Sequence, residues 1–274
     1  FWLEKDGKII VAMPGPPREM NRMFERQVKP RLQKLQDSVI YYRLIRSFGI
    51  GESKMETMLL PLIDGQTDPT IATYAKEGEC SLRIASKRAT LEEAKEAVDN
   101  MLDDVMEIIG ENVYSIDNED LIDVVGKILL EKNISISCAE SCTGGLFAGR
   151  LTDISGISKV FERGIVTYSN RAKMEELGVK AETLDKFGAV SEETAAEMAE
   201  GLKAKTGSDL CVSVTGIAGP GGGSPEKPVG LAYIGICYKG ETKVFKSLYR
   251  NVSRKWNRNY TLLNMLYQIY KLIK

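Results

Sequence analysis

The chain has 274 residues, with 37 basic and 38 acidic side chains for a formal charge of −1, and it has no histidine. The missing histidine excludes any Ser-His-Asp or Cys-His site, any His-ligated zinc and any imidazole switch built from this chain alone. Hydrophobic residues at 43% and charged residues at 27% are ordinary globular composition, and the near-zero charge gives no sign of a basic nucleic-acid surface.

At ~100–200 residues per domain the length predicts two domains, with a fragment of a third. Residues 8–13 (KIIVAM) read as a short strand, broken by Pro14-Gly15-Pro16-Pro17 and followed by a helix over 18–35. One strand and one helix bury no core by themselves. The chain also begins on Phe1 rather than Met, so residues 1–38 read as the remnant of a truncated domain.

Residues 39–117 follow a β-α-β-β-α order. A strand over 41–48 leads through Gly49-Ile50-Gly51 to a helix over 52–62, then strands over 70–74 and 80–86 flank a turn at Glu77-Gly78. Thr90 with Glu93 three residues on is a capping box opening a helix to 109. This is a compact two-layer α+β domain, for which a spacer or dimerisation role is the default.

From 118 onward strands alternate with helices. Helices are predicted over 120–132, from 146, and over 172–177, 181–187, 192–206 (capped by Ser191) and 253–271. Strands are predicted over 134–138, 164–168, 210–214, 231–238 and 243–248. That order predicts an α/β sandwich, with helices on both faces of a mixed sheet. Five cysteines (Cys80, Cys138, Cys142, Cys211, Cys237) form no Cys-x-x-Cys pair, so neither a zinc ribbon nor a disulfide framework is indicated. No apolar run approaches the ~20 residues of a membrane span, and a reduced cytoplasmic protein is expected.

Three segments of the last domain carry chemistry. Ala139-Glu140-Ser141-Cys142-Thr143-Gly144-Gly145 leaves a strand and enters a helix, presenting hydroxyls and N–H groups that suit a phosphate or an oxyanion. Ser141 is there a candidate nucleophile or merely an N-cap. In Tyr168-Ser169-Asn170-Arg171-Ala172-Lys173, a lysine of a first helical turn is ordinarily solvated surface; it activates a serine only if desolvated enough to be neutral. The third segment, 214–230, has six glycines and three prolines. It reads either as a flexible excursion or as a ligand loop whose backbone approaches its ligand closely. It is neither a Walker A loop nor a dinucleotide-binding fingerprint.

AESCTGG, FERGIVTYSNRAK, GAVSEETAAEMAEG and VTGIAGPGGGSPEKPVG, in this order, resemble the carboxy-terminal domain of the CinA family, also called the PncC-type nicotinamide mononucleotide deamidase domain, over about residues 118–274. Residues 8–24 resemble the end of the family's molybdopterin-binding-like amino-terminal domain, and 41–115 its KH-like middle domain. The resemblance implies hydrolysis of nicotinamide mononucleotide to nicotinate mononucleotide and ammonia. Ser141 would be the nucleophile, with Lys173 and Tyr168 accepting and relaying its proton. Thr143, Gly144 and Gly145 would offer N–H groups to an oxyanion or a phosphate, and Thr215 and Gly216 would line the site. No metal or cofactor is implied for this domain, and the family's ADP-ribose pyrophosphatase activity, assigned to the amino-terminal domain, is not expected here.

Family members often carry Gly-Asp-Arg before the last helix, where this chain has Val252-Ser253-Arg254. Arg254 is the counterpart and candidate phosphate ligand, with Arg258 in reserve. The expected partners are a small nucleotide substrate and a second copy of the chain in a homo-oligomer. A membrane is not expected, and Gly49-Ile50-Gly51 in place of a basic Gly-x-x-Gly loop makes nucleic acid a poor fit. The competing reading is a non-catalytic nucleotide-binding or interaction module linked to competence or DNA damage.

Overall fold

The computed structural model describes residues 1–76, 78–250 and 252–274. The chain opens on an antiparallel hairpin of β1 (Trp2–Lys5) and β2 (Lys8–Val11). The helix expected over 18–35 is divided into α1 (Pro17–Met23), a π-helical turn (Phe24–Val28) and α2 (Lys29–Gln33). The cause is Pro30, whose missing N–H leaves the Arg26 carbonyl without its α-helical partner, so the register widens there. Among the described residues before β3, only Val28 is buried.

The middle domain comprises β3 (Val39–Ser47), α3 (Glu52–Ile63), β4 (Thr70–Lys76), β5 (Glu79–Arg88), α4 (Leu91–Ile109) and β6 (Val113–Ser115). Its antiparallel sheet runs β4-β5-β3-β6. Ile45, Leu82 and Ile84 of the sheet pack on Met55, Leu59, Val98 and Val105 of the two helices. Thr90 and Glu93 make both bonds of the capping box. Strand β6 was not expected, because three residues are too few to show an alternating pattern. Of the turn expected at Glu77-Gly78, Glu77 lies outside the described residues.

The last domain comprises α5 (Leu121–Glu131), β7 (Ile136–Glu140), α6 (Leu146–Thr152), β8 (Phe161–Val166), α7 (Asn170–Leu177), α8 (Ala181–Phe187), α9 (Glu192–Thr206), β9 (Leu210–Gly216), β10 (Leu231–Tyr238), β11 (Glu241–Leu248) and α10 (Arg254–Ile273). The mixed sheet runs β11-β10-β9-β7-β8. Strands β8, β7 and β9 are parallel, while β10 and β11 are antiparallel additions. Helices α5, α6 and α10 share one buried cluster with the sheet, and α7, α8 and α9 share a second, which makes three layers. Helix α9 lies so close to the end of α7 that a Cβ on Gly201 would fall 1.7 Å from the Leu177 carbonyl oxygen. No helix among the described residues is long and apolar enough to cross a membrane.

Helix α10 also joins the two domains. Phe48, just past β3, packs on Tyr260 and Tyr267 with ring centroids 5.4 and 5.0 Å apart. The Tyr267 hydroxyl donates to the Glu111 carbonyl at 3.0 Å. Buried Arg46 reaches Glu79 at 3.1 Å and Asp120 at 2.8 Å.

Candidate functional site

Ser141 follows directly on β7, at the end of the parallel strands where α/β ligand sites collect. Its amide donates to the Val214 carbonyl at 3.1 Å, and the Thr167 amide donates to the Glu140 carbonyl at 2.9 Å. The ladder thus runs on past the strand ends and sets Ser141 beside Thr167. After β8 the Ser169 hydroxyl caps α7, accepting from the Ala172 amide at 3.1 Å. Lys173 falls in the first turn of that helix and points inward across the strand ends.

Lys173 is 1% exposed and Ser141 is 8% exposed. The lysine Nζ lies 3.2 Å from Ser141 Oγ, and it donates to the Thr167 carbonyl at 2.8 Å and the Tyr168 carbonyl at 3.4 Å. A neutral amine has two N–H groups and one lone pair. The two carbonyls take the N–H groups, which leaves the lone pair for the serine proton. Burial holds the Lys173 pKa below its ordinary value, opposed in part by Cys142. The Cys142 thiol is itself pushed up to about 12, chiefly by burial, so it stays protonated near neutrality and does not compete as a nucleophile.

Tyr168 meets Lys173 only through its backbone. Its side chain is 61% exposed, and its hydroxyl accepts from Arg254 at 2.9 Å with no hydrogen bond to Ser141 or Lys173. The expected phenolic relay is therefore not assembled, because the chain leaves β8 with this ring turned to solvent.

The loop after Ser141 also differs from expectation. Glu140, buried at the end of β7, accepts from the amides of Gly145 at 3.0 Å, Phe147 at 3.1 Å and Ala148 at 2.9 Å. A carboxylate of the chain itself thus fills the amino-terminal end of α6, the place the sequence offered to a phosphate. The Gly144 amide donates to the Ser141 carbonyl at 3.1 Å. Gly144 and Gly145 therefore have no amide to spare. The amides of Cys142 and Thr143 donate to no backbone carbonyl among the described residues and lie beside the Cys142 sulfur. The hydroxyls of Thr143 and Thr167 are buried without a partner among the described residues. Sequence reasoning missed Glu140 and Thr167; an acid placed just before a helix-opening loop was the available signal for the first.

Thr215 is buried, and its hydroxyl donates to the Ala189 carbonyl at 2.7 Å, so it is spent on tying β9 to the loop between α8 and α9. At Gly216 a Cβ would come within 2.8 Å of the Leu231 carbonyl oxygen, which makes this glycine a requirement of strand pairing. The glycine-rich loop is tied down at both ends. Lys227 Nζ donates to the Phe187 and Val190 carbonyls at 2.5 and 2.8 Å, while Asn257 and Arg254 hold the Ala218 and Gly219 carbonyls at 2.9 and 2.8 Å. Arg258 donates to the Cys142 and Thr143 carbonyls at 3.2 and 2.7 Å. The first turns of α10 therefore grip both loops that border Ser141, and of the two arginines only Arg254 is exposed.

A three-layer α/β domain with a buried Ser–Lys pair at its parallel strand ends, behind a KH-like domain, defines the class. The family model for the CinA C-terminal domain matches residues 118–273, and that for the damage-inducible protein CinA KH domain matches 42–115. The chain belongs to the CinA family. It is 47% identical over 264 residues to a relative from Clostridium novyi (strain NT) with a competence-damage inducible name, covering 96% of this chain and 64% of the relative. It is 49% identical over 244 residues to a CinA-like protein of Kosmotoga olearia, covering 89% of this chain and 59% of that one. The chain thus spans about three fifths of the length of these curated relatives. Among solved structures, the competence/damage inducible protein CihA from Agrobacterium tumefaciens matches with a TM-score of 0.54 and 42% identity, over 57% of this chain and 98% of that one.

Proposed function

We propose that the carboxy-terminal domain is an amidohydrolase converting nicotinamide mononucleotide to nicotinate mononucleotide and ammonia. The observation that carries the chemistry is the buried Lys173 Nζ 3.2 Å from Ser141 Oγ. The choice of pyridine nucleotide rests on the four-motif family resemblance.

Ser141 Oγ attacks the carboxamide carbon as Lys173 takes its proton. The oxyanion is received by the amides of Cys142 and Thr143. Lys173 returns the proton to the leaving nitrogen, ammonia departs, and an ester on Ser141 remains. Water, deprotonated by Lys173, then cleaves that ester and restores both groups. Arg254, exposed beside the Tyr168 hydroxyl, is the phosphate ligand; Arg258 keeps the nucleophile loop in shape through its two carbonyls. The reaction draws on no metal or cofactor. The five buried free cysteines support a reducing compartment, the cytoplasm, and the homo-oligomer is carried over from the family. Ammonia release from nicotinamide mononucleotide tests the assignment. It is expected in the unaltered chain and expected to vanish in Ser141→Ala and Lys173→Ala; equal turnover in either variant sinks it.

A further inference from the structure

A cleft of about 590 Å³ opens where the KH-like domain meets the last domain. Neither Ser141 nor Lys173 lines it. Its size falls within the ~300–1,000 Å³ of small-molecule sites. One wall is the Gly49-Ile50-Gly51 turn with the facing ends of β4 and β5; the other is the end of β11 and the first turns of α10.

Two kinds of chemistry meet in this space. Trp256 and Tyr260 stack with ring centroids 4.8 Å apart and planes inclined by 17°. Tyr260 is backed by Tyr249 at 4.7 Å and Phe48 at 5.4 Å, so the platform is held rigid from behind, while Trp256 remains partly open. A preordered aromatic face receives a second flat ring with little loss of side-chain freedom.

Around the platform stand three exposed cations, Lys54 of α3, Lys76 of β4 and Arg250 of the loop between β11 and α10. None forms a salt bridge with a described carboxylate. Of the described acids in the lining, Glu79 is neutralised by Arg46 at 3.1 Å, which leaves Glu52 among the described residues against these three positive charges. A purely anionic ligand has no use for the rings, and a neutral aromatic one has no use for the cations. A flat base joined to a phosphate satisfies both.

We propose that this interdomain cleft binds a nucleoside monophosphate, with its base on Trp256 and its phosphate among Lys54, Lys76 and Arg250. The site shares α10 with the Ser141 loops but is separate from them, and it stands whether or not the deamidase reading holds.

Fluorescence titration of the whole chain tests it. Trp2 and Trp256 account for both tryptophans, so Trp2→Phe leaves Trp256 as the reporter. Adenosine 5′-monophosphate is expected to quench it saturably, with adenosine and ribose 5-phosphate each binding at least about tenfold more weakly. Lys76→Glu is expected to raise the midpoint at least about tenfold, with Arg250→Glu in its place if circular dichroism shows Lys76→Glu unfolded. Absence of saturable quenching by the monophosphate overturns the proposal. So does a midpoint that ignores the charge reversals, or ribose 5-phosphate binding as well as the monophosphate.

Discussion

At the scale of single residues the account turns on the protonation of Lys173. Burial lowers its pKa, and only the neutral amine accepts a proton from Ser141. The sign follows: the active fraction grows as pH rises and levels off above the lysine's folded pKa, which lies below the ordinary ~10.4. The kcat/KM for ammonia release is expected to climb with pH and reach a plateau below that value; a rate that falls as pH rises toward that value contradicts a lysine base. Thr215 makes the opposite prediction. Its hydroxyl is committed to the Ala189 carbonyl, so Thr215→Val is expected to cost about 1 kcal/mol of stability by urea unfolding and to leave KM nearly unchanged. A several-fold rise in KM would show that this hydroxyl reaches substrate. The candidate nucleophile, its lysine and the arginine at the mouth were all readable as motif residues. What each side chain bonds to was not, because partners such as Ala189 and Val214 lie far away in sequence and meet only through the sheet.

At the scale of elements, Glu140 decides how the nucleophile loop is built. Its carboxylate takes three amides at the start of α6, which fixes the turn that carries Cys142 and Thr143. Glu140→Ala leaves those donors unpaired and is expected to destabilise the chain by about 2–4 kcal/mol, measured by urea unfolding. Loss of less than about 1 kcal/mol would mean the loop is held by Arg258 and the strand ends instead. Element boundaries drawn from sequence fell near the observed ones wherever a cap was written locally, as at Thr90, Ser191 and Ser253. They failed where the cause was not a local pattern. Strand β6 exists through pairing with β3, and the π-helical turn exists through one proline downstream.

At the scale of the whole molecule, α10 is shared property. Its first turns hold the Ser141 loops, and its later tyrosines hold the KH-like domain through Phe48 and Glu111. The Agrobacterium structure, matched over 98% of its length by 57% of this chain, is a chain the size of the last domain standing by itself. Residues 118–274 alone are therefore expected to fold and to retain turnover, with a lower Tm because Tyr267 and Tyr270 lose their cover. A soluble fragment without turnover would show that the KH-like domain completes the site. The central claim, that Ser141 and Lys173 form a catalytic pair, meets its most direct test in ammonia release from nicotinamide mononucleotide by Ser141→Ala beside the unaltered chain. The account predicts steady release from the unaltered chain and a rate at least ~10³-fold lower in the variant; comparable rates in both would contradict it.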